Sequence, residues 1–334
     1  MQALEYSQRL GMITTDQFQA ALDRLDLGRL LHAEPIPFGL SKRNVFLTTT
    51  KGEYVFRGAP HYPHQFAGEH FFAQKLHEQT SVPIPWPYLF DPSNDIFGWS
   101  YAIMPRMPGL QLVDPKVKAN LSREDRIEIA CAMGENLANM QELTWEFSGQ
   151  YDAETDTLQP FEVKYSQRII TRIRDNLARS SQYSDRTTPA DADWVEELIS
   201  LAKNAFDDSF EPCFVMQDYK EDNVVVECLE GLWRISGVFD LTHAHIGDGE
   251  ADISCAVAQY LDEDPKLACE FVQAYFGTKV PRAGLPSRYP IYMLDNRLRV
   301  WEFCQQFDCC WWDKKLMFRE WASPYVSYNA VLCL

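Results

Sequence analysis

Hydrophobic residues recur with a helical period near the start of the chain and then alternate as they do in β-strands. Residues 14–31 predict a helix, because Thr14 and Gln17 have the spacing of a capping box and apolar residues follow every three or four positions. Residues 44–50 and 53–57 flank a Lys-Gly turn and predict a β-hairpin. A helix at about 64–78 and a strand at 99–104 complete a β-rich first part.

The pattern then becomes mainly helical. Ser122 and Asp125 form a capping signal before an apolar stripe, and further helices are predicted at 162–180 and 191–206. Two β-branched runs flank Glu230 and Gly231 and predict a second hairpin, after which helices rich in aromatic residues end the chain. We therefore predict an α+β fold with a β-rich N-terminal lobe at 1–105 and a larger, mainly helical C-terminal lobe at 106–334.

Composition narrows the class of partner. Of the 334 residues, 48 are acidic and 31 basic, and the formal charge of −17 argues against nucleic acid as a partner. No apolar run is long enough to span a bilayer, and no secretory signal pattern is visible, so we expect a cytoplasmic protein without a membrane partner. The acidic balance is compatible with a cationic substrate, although the simpler explanation is that an acidic surface keeps the protein soluble.

The second hairpin organises three polar residues. Antiparallel pairing about Gly231 places Asn223, before the first strand, opposite Asp240, after the second, with Asp218 on the preceding loop. One carboxylate and one amide oxygen suit Mg²⁺, which takes its remaining ligands from water and phosphate. The alternative is that Asp218 and Asn223 are ordinary turn residues.

The order of elements and the pattern Asp218-x-x-x-x-Asn223 followed by Asp240 resemble the aminoglycoside phosphotransferase and choline kinase-like group, whose fold is similar to that of protein kinases. The run from Val238 to Asp252, with its Gly-Asp turn, resembles the metal-binding segment of these enzymes. The resemblance implies a two-lobed, Mg²⁺-requiring kinase that uses ATP or GTP, with Asp218 accepting the proton of a substrate hydroxyl and Asn223 and Asp240 holding the metal.

The same resemblance implies nucleotide contacts in the N-terminal lobe. Arg57 stands where the family has a cation on the nucleotide phosphates, and backbone around Met104 to Met107 stands where the base binds. Glu69 lies on the apolar face of its predicted helix, where a buried carboxylate needs a cationic partner, so we expect an Arg57–Glu69 ion pair. A rotated helix that exposes Glu69 to solvent is the alternative.

Three further residues are candidates for phosphate contact. Ser41 and Asn44 belong to a segment, 38–44, that can fold over phosphates or form an ordinary turn. Lys220 follows Asp218 by two positions and corresponds to a lysine that contacts the γ-phosphate in protein kinases, unless it is a solvated loop lysine.

The substrate that accepts the phosphate is the least determined part of the predicted function. Glu302 and Asp308 are candidates for binding a cationic, aminoglycoside-type substrate, which implies antibiotic resistance, although a solvated helix face explains them too. A metabolic kinase of amino alcohols or sugars is the alternative.

Met216 stands where the family usually has a His that supports the catalytic loop, so a nucleotide-binding pseudokinase also stays open. A hydrolytic metal site on His243, His245 and Asp248 lacks a further ligand at zinc-like spacing.

Overall fold

The computed structural model describes residues 3–36, 43–206, 209–277 and 280–328. The chain divides into two compact units. The first comprises residues 1–129, 151–158 and 220–244, and the second comprises 130–150, 159–219 and 245–334. The segment 220–244 belongs to the first unit because its strands pair there, as shown below.

The first 140 residues contain eight strands and four helices within their described part. In chain order these are β1 (Ala3–Ser7), β2 (Gly11–Thr14), α1 (Thr15–Arg24), β3 (Leu30–Pro35), β4 (Asn44–Thr49), β5 (Glu53–Arg57), α2 (Gln65–Gln79), β6 (Leu89–Asp91), β7 (Tyr101–Pro105), β8 (Leu110–Gln111), α3 (Pro115–Asn120) and α4 (Arg123–Met140). Five of the strands form an antiparallel sheet in the order β3-β4-β5-β7-β6.

The hairpin predicted at 44–57 is present as β4 and β5, with Asn44 opposite Arg57. The predicted capping box is also present, since the Gln17 amide N–H donates to Thr14 Oγ1 at 3.1 Å. The prediction of a helix to residue 31 was wrong in its second half. Asp26 and Gly28 adopt positive φ angles of 53° and 84°, which a right-handed helix cannot accommodate, and the chain then turns into β3.

Aromatic rings fill the core of the first unit. The Phe18 ring packs edge-on against Phe56, their centroids 5.1 Å apart, and Phe56 stacks on Tyr101 at 5.7 Å. All three side chains are fully buried. This packing attaches α1 to the five-stranded sheet and fixes the position of β5, which ends at Arg57.

The remaining described elements are β9 (Gly149–Asp152), β10 (Thr157–Pro160), α5 (Tyr165–Tyr183), α6 (Pro189–Phe206), β11 (Cys213–Val215), β12 (Val224–Leu229), β13 (Leu232–Val238), β14 (His245–Gly247), α7 (Glu250–Leu261), α8 (Pro265–Phe276), α9 (Leu285–Phe307) and α10 (Phe318–Val326). A short 3₁₀ helix, Glu221–Asn223, precedes β12. The predicted α+β class, with a β-rich first part and a helical second part, is confirmed.

Strands β12 and β13 form the predicted second hairpin about Gly231 and pair with β8 in a three-stranded sheet of the first unit. In the second unit β11 pairs with β14, and the helices pack around buried residues such as Ile173 of α5 and Trp301 of α9. Within the described part of the chain, no helix combines the length and apolar character that a membrane span requires.

Candidate active site

The base of the second hairpin brings Asn223 and Asp240 together as predicted. Val224 lies opposite Val238, and the Phe239 amide donates to the Asn223 carbonyl oxygen at 3.0 Å. Asp240 therefore leaves β13 directly beside the start of β12. Its backbone φ of 69° is unusual for a residue with a side chain, and such conformations concentrate at functional sites.

The predicted Arg57–Glu69 ion pair is present in the first unit. Arg57 Nη2 lies 3.3 Å from Glu69 Oε1, and the two side chains are 3% and 1% exposed. The Tyr88 hydroxyl donates to the other carboxylate oxygen, Oε2, at 3.0 Å. The pair forms because β5 ends in Arg57 while α2 directs Glu69 toward the sheet, where a buried carboxylate needs a cation.

Asp240 shares the same guanidinium, a contact that the sequence pattern did not predict. Arg57 Nη2 donates to Asp240 Oδ1 at 2.8 Å, and Arg43 Nη2, on a side chain 1% exposed, lies 4.0 Å from the same oxygen. Burial by itself raises the pKa of the Asp240 carboxyl, but the charges of Arg57 and Arg43 hold this pKa well below its usual range. Two buried arginines thus face two carboxylates in one cluster.

Thr242 lies at the centre of this cluster. Its hydroxyl oxygen is within hydrogen-bonding distance of three donors and two carboxylate oxygens, namely Arg57 Nη2 at 3.1 Å, Arg43 Nη2 at 3.3 Å, Gln65 Nε2 at 3.0 Å, Glu69 Oε1 at 2.9 Å and Asp240 Oδ1 at 2.5 Å. A hydroxyl has one proton and two lone pairs, so it satisfies at most three of the five at a time. Thr242 therefore couples the Arg57–Glu69 pair to Asp240.

The donor set at Asp240 fits a magnesium ion. Among the described residues, Arg57, Arg43 and Thr242 contact the Asp240 carboxylate through Oδ1, which leaves Oδ2 available to a cation. The Asp240 side chain is 31% exposed, unlike the buried groups around it. A carboxylate oxygen is a ligand that Mg²⁺ prefers, and the hairpin brings the backbone of Asn223, the second predicted ligand, close to Asp240.

Asp218 lies in the second unit, on the loop that follows β11. The buried Asp252 carboxylate of α7 accepts backbone N–H bonds from Met216 at 2.7 Å and Gln217 at 2.6 Å. Burial raises the pKa of Asp252 to about 7, although both amides favour its ionised form. The Cys255 thiol, also on α7, donates to Asp218 Oδ1 at 3.7 Å. Helix α7 therefore supports the loop and contacts the candidate base itself.

The other predicted phosphate and base contacts lie in the first unit. Ser41 is outside the described residues. Asn44 begins β4 and faces Arg57 in the strand register, and Lys220 immediately precedes the 3₁₀ helix that carries Asn223. Met104 is buried in β7 and Met107 lies just beyond this strand. Their nucleotide contacts stay predictions.

The two carboxylates predicted to bind a cationic substrate are engaged in ion pairs. Glu302 Oε1 lies 3.3 Å from Arg179 Nε, and Asp308 Oδ1 lies 2.5 Å from Lys314 Nζ. Asp308 is 85% exposed and caps the C-terminal end of α9. Substrate binding by either residue stays a prediction.

Three groups important to this geometry were missed in the sequence: Arg43, Thr242 and the carboxylate of Asp252. Arg43 and Thr242 are 199 positions apart, and no spacing rule relates them. Thr242 follows Asp240 by two positions, which was the available signal, because alternate residues of an extended segment can contact the same groups.

Comparisons with known proteins identify the family and the fold of this chain. A family model described as the phosphotransferase enzyme family matches residues 32–289. A search of curated proteins found no match. Among solved structures, a candidate aminoglycoside phosphotransferase from Ralstonia eutropha JMP134 is similar with a TM-score of 0.66 and 18% identity, over 96% of this chain and 98% of that one.

Two other solved structures have the same fold. A thermostable mutant of aminoglycoside phosphotransferase APH(4)-Ia, in complex with ADP and hygromycin B, has a TM-score of 0.63 and 16% identity over 95% of this chain and 98% of its own. A candidate fructosamine-3-kinase from Thermobifida fusca YX-ER1 has a TM-score of 0.62 and 18% identity over 94% and 98%. Since the family model covers well over half of the sequence, the chain belongs to the phosphotransferase enzyme family.

Proposed function

We propose that the protein transfers the γ-phosphate of ATP or GTP to a hydroxyl of a small, aminoglycoside-type acceptor in a Mg²⁺-dependent reaction. The Arg57–Glu69–Asp240 cluster is the observation that carries the proposal, because it joins the cation proposed to bind phosphate, which is buried, to the partly exposed carboxylate proposed to bind the metal. The solved neighbour with bound ADP and hygromycin B supports both the nucleotide donor and the aminoglycoside class.

Each candidate site residue has a separate role in the proposed reaction. Asp218 orients the acceptor hydroxyl and accepts its proton, while Arg57 binds the nucleotide phosphates. Asn223 and Asp240 hold Mg²⁺, which when bound neutralises charge on the phosphates. Because phosphoryl transfer proceeds through a loose transition state, positioning and electrostatics supply most of the catalysis.

The remaining predicted contacts complete the nucleotide and acceptor sites. The backbone at Met104 to Met107 binds the base, while Ser41, Asn44 and Lys220 contact the phosphates. Glu302 and Asp308 bind amino groups of the acceptor, and they do so by exchanging their present partners, Arg179 and Lys314.

A metabolic kinase of a sugar or amino alcohol is the second candidate. The observation that favours it is the neutralisation of Glu302 and Asp308 by basic side chains, which reduces the attraction for a polycation. The similarity in fold to a candidate fructosamine-3-kinase is consistent with this class of acceptor.

The decisive experiment is a transfer assay with γ-labelled ATP and GTP against aminoglycosides, ketosamines and amino alcohols, in the presence and absence of Mg²⁺. We expect labelled product with one class of acceptor. The Asp218→Asn variant should lower kcat by at least about 100-fold and leave nucleotide affinity unchanged, whereas Asp222→Asn, a matched change on the 3₁₀ helix that follows this loop, should retain activity.

Two results would contradict the proposal. Retained turnover in Asp218→Asn would remove Asp218 as the base. Nucleotide binding without transfer to any acceptor would favour the pseudokinase.

A further inference from the structure

The residue before Asp218 has a backbone conformation that needs outside support. Gln217 has φ +67°, in the left-handed region that costs a residue with a Cβ about 1–2 kcal/mol. It connects β11 to Asp218, so its conformation determines where the Asp218 backbone lies. A right-handed or extended Gln217 would redirect the carboxylate that accepts the substrate proton.

Two arginines hold Gln217 through groups that Asp252 does not contact. Arg172 Nη1, from α5, donates to the side-chain oxygen Oε1 at 2.8 Å. Arg299 Nη2, from α9, donates to the backbone carbonyl oxygen at 3.1 Å. Asp252 holds the amide N–H of Gln217, so α7 fixes the amide while α5 and α9 fix the carbonyl and the side chain.

Asp295 holds Arg172 by hydrogen bonds and lies within ion-pair distance of Arg299. Arg172 Nε donates to Asp295 Oδ1 and Arg172 Nη2 donates to Oδ2, both at 2.8 Å. Asp295 Oδ2 also lies 3.5 Å from Arg299 Nε. The Asp295 side chain is buried, and both guanidinium groups are mostly buried. A bidentate pair of this kind restricts the plane of the guanidinium, so Arg172 reaches Gln217 in a single orientation.

We propose that Arg172, Arg299 and Asp295 form a clamp that positions the catalytic loop through Gln217. The clamp acts through Gln217, so the loop can be ordered without a His at position 216. This inference rests on the proposed function in that Asp218 is taken to be the base. It makes Arg172, Arg299 and Asp295 positioning residues, which act on Asp218 through Gln217.

The sharpest test compares Gln217→Ala with Gln217→Gly. Both variants lose the contact with Arg172, but only alanine retains the cost of a left-handed backbone. Gln217→Ala should lower kcat roughly 5- to 30-fold, the population ratio that this cost corresponds to, with little change in the nucleotide KM. Gln217→Gly should recover most of the lost kcat. Equal kcat in the two variants would refute the clamp, as would wild-type kcat in Gln217→Ala.

A second measurement does not depend on transfer activity. Hydrogen exchange of the segment 213–220 should be faster in Arg172→Gln than in the wild type. The matched control is Arg174→Gln on the same helix, because Arg174 pairs with Glu196 of α6. Unchanged exchange in a folded Arg172→Gln variant would refute the clamp. Altered exchange in a protein that transfers no phosphate would retain the clamp and reject the proposed function.

Discussion

The hydroxyl of Thr242 offers the most specific test of the cluster in the first unit. Thr242→Val keeps the shape of this buried side chain and removes only its hydrogen-bonding capacity. Five polar groups surround the hydroxyl, but one proton and two lone pairs limit its real contribution to three bonds. Glu69 and Asp240 both keep their contacts with Arg57, so neither carboxylate is left unpaired.

The expected cost follows from that count. One hydrogen bond to a charged group contributes about 1.5–3 kcal/mol, and because the partners remain paired, the total loss should be about 2–3 kcal/mol and not the sum of five bonds. Urea unfolding of the wild type, Thr242→Val and Thr242→Ser measures it, with serine as the control that retains the hydroxyl. The loss of a bond to Asp240 Oδ1 should also weaken Mg²⁺-nucleotide binding about tenfold in the valine variant, equivalent to about 1.4 kcal/mol.

Valine and serine variants that are equally stable and bind Mg²⁺-nucleotide equally well would refute the role of the hydroxyl. A loss of stability in the valine variant without a change in Mg²⁺ dependence would separate the two effects. In that case Thr242 would stabilise the cluster but would not orient Asp240.

Two further predictions concern buried charges. Arg57→Met leaves the Glu69 carboxylate without its cation, so it should lower the unfolding free energy by about 3–5 kcal/mol and raise the nucleotide KM. Arg57→Lys, which keeps the charge, should have smaller effects. A methionine variant with wild-type stability and a normal KM would contradict both the ion-pair role and the phosphate-binding role of Arg57. Asp252 has a folded pKa of about 7, above its ordinary value of 3.8, so the folded state binds the extra proton and stability falls as pH rises from about 4 to 7. Asp252→Asn should remove up to about 1.4 kcal/mol per pH unit of that decline. If the unfolding free energies of the wild type and Asp252→Asn changed in parallel with pH, the raised pKa of Asp252 would be excluded as the cause.

The sequence by itself determined the features that depend on neighbouring residues. Alternation of apolar residues around short turns predicted the hairpins β4–β5 and β12–β13, because the turn residues set the strand register locally. The second hairpin was enough to place Asn223 beside Asp240. The Arg57–Glu69 pair was also predictable, since the helical face of Glu69 required a cation.

Local patterns failed where the chain departs from regular backbone or pairs across long distances. The helix predicted to residue 31 ends at Arg24, just before the left-handed Asp26, and propensity does not show such a conformation. Strands β1 and β2 were not predicted at all. They are five and four residues long, respectively, and so short a signal is weak against the helix that follows.

Only the tertiary structure decided which charges neutralise one another. Arg57 and Asp240 are 183 positions apart, and Arg172 and Asp295 are 123 apart. These pairs form because packed strands and helices bring the side chains together, and burial then makes each charge dependent on its partner. The sequence therefore identified which residues are the candidate base and metal ligands, while the fold determined which side chains hold each of them in place.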